Sequence, residues 1–325
     1  MKTIVIYWGA LIIAYCIATK SQNKEKMPRL TEDALNVVMY LLILLMGLRM
    51  GANKAVIDSL AEIGIQSLII TAITVVCSML AVTVTRWMMH LDRKGNKKAG
   101  GAANEREETS GSAATVGKGL KSSLVITVLV AAGMIAGYLL IYRKLGIQDS
   151  FLLKSDLWMT ILLVALIFAV GFSLGLKGNM IANLKKAGKG VIAFPVATIM
   201  GTVVGSLLYS FVSPMGIKEC VAIAYGFGWY TYAPTVIAQA GYPVASAISF
   251  LHNAIRETFG IIAIPFVAAK VGYIESIAVP GVAAWDVCMP IVEQHTNEDT
   301  VIYSFATGCM MFVTIPVVIP LVLAA

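Results

Sequence analysis

The sequence predicts an all-α polytopic membrane protein of inverted-repeat transporter architecture, with about eight transmembrane helices and two re-entrant or broken segments. Hydrophobic residues make up 58% of the 325 residues and charged residues only 13%, and the mean hydropathy is +0.81. These values lie far outside the range of soluble domains. Long apolar runs recur along the chain, and internal similarities relate successive parts of it. We therefore expect a single membrane transport domain, residues 1–325, surrounded by the lipid bilayer.

Eight apolar runs approach or exceed the length of about 20 residues that crosses a bilayer. They are residues 3–18, 34–50, 65–89, 122–142, 157–176, 191–212, 243–269 and 300–324. Two further runs, 219–239 and 274–294, are interrupted by Gly, Pro and aromatic residues, so ordinary helices in lipid are not expected there. The first run is interpreted as a retained span rather than a signal peptide, because Tyr15 before Cys16 fits a lipoprotein cleavage site poorly.

Basic residues in the loops predict the orientation of the chain. If both broken segments return to the side from which they enter, most Lys and Arg residues fall on one side. The positive-inside rule makes that side cytoplasmic and places both termini outside. If either segment crossed the membrane completely, the later loops would lie on the opposite side. Those loops carry too few charges to exclude this arrangement. Arg49, at the end of the second span, is expected to anchor a membrane boundary.

Composition also limits the partners of the protein. The stretch 90–121 is rich in Gly, Ala and charged residues without apolar periodicity, so we expect a disordered cytoplasmic linker. Because topology explains the net charge of +7, no nucleic-acid partner is predicted. The five cysteines lie in apolar segments without CxxC spacing, which indicates neither a disulfide framework nor a metal site.

A first internal duplication relates the spans in groups of three. An offset of 124 residues superimposes the first three spans on the next three and pairs, for example, Gly47 with Gly171. Because each unit holds three spans, the second unit must enter the membrane from the opposite side, which is the usual construction of secondary transporters. The two repeats then cover residues 1–89 and 122–212.

A second duplication relates the two broken segments within residues 213–325. An offset of 56 residues aligns WYTYAPTV with WDVCMPIV, so that Trp229 matches Trp285 and Tyr230 matches Asp286. The two segments flank one span and would therefore also be inverted relative to each other. Irregular backbone at membrane depth is tolerated only where it is buried in protein or lines a watery cavity.

Polar residues interrupt the seventh span in the sequence HNAIRETFG. Asn253, Arg256 and Glu257 share one helical face, and Gly260 allows another backbone to approach it. A charge at mid-bilayer costs about 2.5–3.5 kcal/mol even on the lenient insertion scale, so a transport site is favoured. The architectural alternative is an Arg256–Glu257 ion pair, but adjacent helical residues point about 100° apart. Arg256 could instead be the fixed counter-charge of a carboxylate.

The broken segments supply further candidates. Asp286 lies where unwound backbone would expose carbonyl and amide groups to ions or substrate. It could also cap a short half-helix, and the two roles are compatible, but a direct function is favoured. In the first segment, Trp229 and Tyr230 stand beside Gly226 and Gly228. They are interpreted either as an interface belt or as an aromatic wall that holds an ammonium group by cation–π attraction.

Three motifs resemble the LysO-type lysine exporters of bacterial inner membranes: GFGWY at 226–230, Arg256-Glu257 with a polar residue three positions before, and Asp286 followed by Pro290. The resemblance covers nearly the whole chain in span order. It implies export of L-lysine and toxic analogues such as thialysine in exchange for protons, eight spans with both termini outside, and two essential intramembrane acids that match Glu257 and Asp286. The chain departs from the family at Asn253, where Asp is expected, and in its long polar linker.

The residues themselves agree with such a function. Two carboxylates in a low-dielectric cavity raise each other's affinity for a proton or an ammonium group, and competition between these cations is a simple form of antiport. We therefore predict a secondary transporter and not an enzyme, with no cofactor and the proton-motive force as its energy source. The predicted substrate- and proton-binding residues are Glu257, Asp286, Asn253, Arg256, Trp229, Tyr230, Gly226 and Gly228.

Other functions remain open at this stage. A transporter of an organic anion would use Arg256 as its binding charge, and exchange of Na⁺ for protons would use the same acids. An intramembrane protease needs two membrane aspartates or an HExxH motif, and the sequence supplies one such aspartate and no HExxH. A purely structural or receptor protein would leave the repeats and the buried acids unexplained.

Overall fold

The computed structural model of the protein describes residues 2–20, 27–96, 113–176 and 188–325, and helices dominate the described part of the chain. Eight described helices have 19 residues or more. These are α1 Lys2–Lys20, α2 Met27–Ala52, α4 Leu60–Met88, α5 Ala113–Ala136, α6 Gln148–Leu176, α7 Gly190–Ser210, α10 Pro243–Lys270 and α13 Glu298–Ala324. The short helices are α3 Lys54–Asp58, α8 Ile217–Ala224, α9 Ala233–Gln239, α11 Tyr273–Ala278 and α12 Met289–His295.

Within the described residues, six helices are long and apolar enough to cross a membrane: α2, α4, α5 with its continuation, α6, α7 and α13. Each of the eight predicted runs lies on a long helix, and α1 and α10 are the two outside this set of six. Large apolar side chains on the outer faces are exposed, as at Leu80 and Ile262. For the described residues, the prediction of an all-helical, multi-pass membrane protein is therefore confirmed.

The helices of the first predicted repeat, α1, α2 and α4, pack against those of the second, α5, α6 and α7. α1 lies along α6, α2 lies along both α5 and α6, and α4 lies along α7. Under the 124-residue offset, α1 corresponds to α5, α2 to α6 and α4 to α7. The contact of α1 with α6 therefore corresponds to that of α5 with α2. The contacts of α2 with α6 and of α4 with α7 correspond to themselves. The crossing of α4 and α7 brings together Cys77 and Gly201, which the offset pairs, because a Cβ at Gly201 would lie 2.5 Å from the Cys77 carbonyl oxygen.

The boundaries around the polar linker differ from the prediction. α5 begins at Ala113, inside the stretch assigned to the linker, because Ala and Lys there favour helix. After Ala136 the helix continues as a π-helix, Gly137–Leu145. On the other side, the Asp92 amide donates to the Asn96 carbonyl oxygen, so this part is a hydrogen-bonded turn. The remaining linker residues, 97–112, lie outside the described part of the chain.

Both runs that were predicted to be interrupted are interrupted. The first broken segment, residues 217–239, consists of α8, a turn and α9. The second broken segment, residues 273–295, consists of α11, the 3₁₀-helix Gly281–Trp285 and α12. α10 joins the two segments and packs against both of them, as well as against α4. The middle of α10 therefore lies where the two segments converge.

Candidate functional site

The turns of the two broken segments contact each other directly. The Val282 amide donates a 2.7 Å hydrogen bond to the carbonyl oxygen of Phe227. Gly281 has a φ of 67°, and a Cβ there would lie 2.1 Å from the same Phe227 oxygen, so this position requires glycine. Phe227 itself has a φ of 47°, an uncommon conformation for a residue with a side chain. The two segments therefore meet tip to tip beside α10.

Asn253 on α10 holds the first broken segment. Its Oδ1 atom accepts a 2.7 Å hydrogen bond from the Gly228 amide, and its Nδ2 atom donates to the carbonyl oxygens of Ile223 at 3.4 Å and Ser249 at 2.7 Å. Gly228 has a φ of 96°, and a Cβ at Gly226 would lie 2.5 Å from Asn253 Nδ2. The predicted residues Asn253, Gly226 and Gly228 are therefore brought together, with the polar atoms of Asn253 bonded within the fold.

Arg256 holds the second broken segment in the same way. Its Nε atom donates to the Val279 carbonyl oxygen at 3.1 Å and its Nη2 atom to the Ala278 carbonyl oxygen at 3.2 Å. The side chain is fully buried, and its guanidinium carbon lies 5.5 Å from the centre of the Phe227 ring. Basic groups commonly satisfy the last carbonyls of a helix, here those that end α11. In the described structure the hydrogen-bond partners of Arg256 include no carboxylate, and an Arg256–Glu257 ion pair is not formed.

The two polar side chains reach equivalent places. Asn253 bonds the Ile223 carbonyl oxygen and Arg256 bonds that of Val279, two positions that the 56-residue offset pairs. We call this pair, Asn253 and Arg256, the α10 clamp. It satisfies main-chain groups that the two breaks would otherwise leave unbonded in the interior.

Glu257 and Asp286 lie within electrostatic range of each other and of the Tyr230 hydroxyl. Glu257 is buried, with 7% of its surface exposed, and within the described residues it makes no hydrogen bond or ion pair. Asp286 directly follows the 3₁₀-helix and is exposed, and its Oδ1 atom accepts a 2.6 Å hydrogen bond from the Val287 amide. The two predicted acids therefore lie near each other, and we call this pair the acidic centre.

The aromatic candidates divide between two environments. The Tyr230 hydroxyl lies 3.7 Å from the Met39 sulfur on α2, beside the acidic centre. The Trp229 ring stacks on Phe312 at 4.5 Å, and Trp285 lies 5.6 Å from the same ring. The two tryptophans that the offset pairs therefore contact one phenylalanine. Phe312 was not predicted, because nothing distinguishes it from other apolar residues of the last span.

A buried ion pair at the start of the second broken segment was also missed. The Arg86 Nε atom lies 2.7 Å from Glu275 Oε1, and the side chains are 7% and 0% exposed. The Thr83 hydroxyl donates to the same carboxylate oxygen, and Arg86 also bonds the Leu91 carbonyl oxygen. The 56-residue offset pairs Glu275 with Glu219, which stands in the first turn of α8. The pairing of these two glutamates was the feature of the sequence that could have drawn attention to Glu275.

Apolar outer helices, two interrupted segments that meet at α10 and a pair of neighbouring acids, of which Glu257 is buried, define a polytopic membrane protein of the transporter class. The family model described as "Lysine exporter LysO" matches residues 7–100 and 126–323. The chain belongs to the LysO lysine exporter family.

Two named relatives are similar to the chain. It is 24% identical over 157 residues to the lysine exporter LysO of Escherichia coli K12, which covers 48% of this chain and 52% of that protein. It is 26% identical over 132 residues to a putative lysine exporter of Haemophilus influenzae, which covers 41% of this chain and 67% of that protein. The chain thus spans about half the length of the first relative and two thirds of the second. No solved structure matches the chain.

Proposed function

We propose that the protein exports L-lysine and cationic analogues such as thialysine in exchange for protons, and that Glu257 and Asp286 bind both cations. The family and the names of both relatives support lysine as the substrate. The acidic centre supports a cationic substrate over an anionic one. No cofactor is needed, because the proton-motive force drives the exchange.

The proposal rests on one observation: Glu257 is buried and makes no hydrogen bond or ion pair within the described residues. A carboxylate removed from water needs a proton or a cation. The adjacent Arg256 does not pair with it, and main-chain carbonyl oxygens of the second broken segment bind the Nε and Nη2 atoms of Arg256. Glu257 has no other ion-pair partner in the described part of the chain. A bound proton or a substrate ammonium group supplies the missing charge.

Proximity of the two acids gives the coupling. Each carboxylate, when ionised, raises the affinity of the other for a positive charge. Lysine binding therefore favours proton release, and proton binding favours lysine release. The Tyr230 hydroxyl lies within electrostatic range of both acids and lines the same region.

The topology belongs to the same proposal. We place all eight long helices across the inner membrane, with both termini outside and the two three-helix units inverted relative to each other. The exchange-symmetric packing of α1, α2 and α4 with α5, α6 and α7 supports this arrangement. The two broken segments then enter from opposite sides and meet at α10, as in transporters that bind substrate at discontinuous helices.

The membrane potential limits the exchange ratio. Moving Lys⁺ outward against an inside-negative potential costs about 2.3 kcal/mol per 100 mV, whereas exchange for one proton moves no net charge. One-for-one exchange is therefore driven by the pH gradient alone. If more than one proton enters per lysine exported, the membrane potential also drives the exchange.

Transport by proteoliposomes with an acidic interior tests the proposal. Radiolabelled L-lysine supplied outside should accumulate as protons leave, and unlabelled thialysine should compete with it. The variants Glu257→Gln and Asp286→Asn should each reduce accumulation to the level of empty liposomes while retaining normal insertion. Glu293→Gln is the matched control, because it removes an exposed carboxylate from the same broken segment as Asp286 and should leave transport unchanged.

The same assay separates the alternatives. Accumulation of citrate or glutamate, but not of lysine, would show an anion carrier. Sodium movement in place of lysine would show cation exchange. Lysine-dependent proton movement that survives both acid substitutions would refute the role of the two carboxylates.

A further inference from the structure

A cleft of about 180 Å³ lies away from the acidic centre, at the end of the bundle where α2 ends and α6 begins. One water molecule takes about 30 Å³ in the liquid, so the cleft has room for several waters or a small solute. Ser246 on α10 lines it, eleven residues before Glu257 and therefore about 16 Å from it along the helix. The cleft and the acidic centre are thus separate places on one helix.

Arg49 lines the cleft and gives one wall its charge, and its ion-pair partner Asp156 lies next to the lining residues. Arg49, whose side chain is 11% exposed, forms an ion pair with Asp156, whose side chain is 44% exposed. The same Arg49 nitrogen donates to the Ser155 hydroxyl at 3.0 Å and lies 3.4 Å from the Leu152 carbonyl oxygen. The sequence predicted Arg49 to anchor a boundary, and the ion pair joins the ends of α2 and α6. A guanidinium group and a carboxylate therefore stand side by side in a partly solvated position.

Apart from Asn53 and Ser246, the other lining residues are apolar. Met46, Met50 and Met159 line the cleft and are buried. Methionine side chains are flexible and adapt to an inserted hydrocarbon chain. A ligand that fits this cleft therefore has an aliphatic part for the methionines and both a negative and a positive group for the ion pair.

We propose that this cleft is a second substrate site that binds the α-amino-acid end of lysine, its carboxylate on Arg49 and its α-ammonium group on Asp156. The ligand's two charges replace the internal partners of Arg49 and Asp156, so binding exchanges one ion pair for two. The identity of the ligand rests on the proposed function. Under the proposed topology the cleft opens at the outer face, which makes it a site for release.

The cleft is linked to the first broken segment. The Gln239 side chain on α9 donates to the Asp156 carbonyl oxygen at 3.2 Å and to the Thr160 hydroxyl at 3.0 Å. Ala238 at the end of α9 lines the cleft itself. The helix that follows the turn of the first broken segment therefore contacts both the cleft and α6.

Two lysine analogues distinguish the two sites. L-Norleucine retains the α-carboxylate, the α-ammonium group and an aliphatic chain but lacks the side-chain cation. Cadaverine retains two ammonium groups but lacks the carboxylate. The proposal predicts that norleucine binds at the cleft and that cadaverine binds at the acidic centre.

Equilibrium binding of each radiolabelled analogue to the purified full-length protein in detergent tests the proposal. Arg49→Gln together with Asp156→Asn should weaken norleucine binding at least tenfold and leave cadaverine binding unchanged. Glu257→Gln together with Asp286→Asn should weaken cadaverine binding and leave norleucine binding unchanged. Arg49→Lys keeps the ion pair with Asp156 but loses the planar guanidinium group that suits a carboxylate. This variant should fold normally and bind norleucine several-fold more weakly than the unmodified protein.

Absence of norleucine binding to the unmodified protein, or norleucine binding unaffected by the Arg49 and Asp156 substitutions, would overturn the second site. Neither result depends on transport. Failure of lysine transport in proteoliposomes would refute the proposed function and leave this binding measurement intact.

Discussion

The Arg256 Nε atom lies 3.1 Å from the carbonyl oxygen of Val279, and this bond fixes the end of α11 to the middle of α10. It makes the positive charge at the centre of the protein part of the scaffold. Under the proposed function, the carboxylate of Glu257, one residue later, binds the exchangeable cation.

Arg256→Gln should destabilise the protein, because the carbonyl oxygens of Ala278 and Val279 lose charged donors. Removing one partner of a buried hydrogen bond costs about 1–3 kcal/mol, and more when the group is charged. Arg256→Lys retains the charge but not the several donors of the guanidinium group, so its stability should lie between those of the unmodified protein and Arg256→Gln. Thermal unfolding in detergent measures the effect. A Gln variant as stable as the unmodified protein but unable to transport would instead favour direct substrate binding by Arg256.

Asn253→Ala should release the first broken segment. The change removes the acceptor for the Gly228 amide and the donor to Ile223, with an expected loss of about 1–3 kcal/mol. Ser249→Ala removes only the hydroxyl that accepts from Asn253 at 3.1 Å and is the milder control. Faster hydrogen exchange at residues 223–228 in the Asn253→Ala variant checks the location of the effect, and unchanged exchange there would contradict it.

Glu275→Gln should be more damaging than Glu219→Gln, although the 56-residue offset pairs the two positions. Glu275 is fully buried against Arg86, and breaking a buried pair leaves an uncompensated charge at a cost of about 3–5 kcal/mol. Glu219 only accepts a 3.3 Å bond from the exposed Gly216 amide. Unfolding temperatures of the two variants provide the comparison, and equal losses would mean that the Arg86 pair adds nothing.

Gly260→Ala should disturb the contact of α10 with the second broken segment. Its Cβ would lie 2.6 Å from Pro280 Cβ and 2.9 Å from Pro280 Cα, too close for either to remain in place. Gly64→Ala on α4 is the matched control, because nothing lies within 4 Å of a Cβ there and alanine favours helix by about 1 kcal/mol. Lower yield and stability for the first variant alone is the expected result. Two equally stable variants would argue against the close packing.

Local sequence patterns predicted the helices well because each pattern reflects its own segment. Gly and Pro within residues 219–239 and 274–294 marked the breaks. The shared face of Asn253, Arg256 and Glu257 followed from helical spacing alone.

Partners distant in sequence could not be predicted in the same way. The carbonyl groups that bind Arg256 carry no side-chain signature and lie more than twenty residues away. Asp156 lies 107 residues from Arg49 in the sequence, so no local pattern could predict their ion pair. The expectation that Arg256 neutralises a carboxylate was a reasonable pairing of opposite charges, but the unwound backbone offered closer acceptors.

Proton release on lysine binding decides whether lysine and protons share Glu257 and Asp286. Lysine is added to the purified protein in weakly buffered detergent with a pH indicator, at a pH where the unmodified protein binds it. We predict proton release by the unmodified protein and by Glu293→Gln, and none by Glu257→Gln combined with Asp286→Asn. Equal release by the double variant, or lysine binding by the unmodified protein without release at any pH, would contradict proton exchange at these two carboxylates.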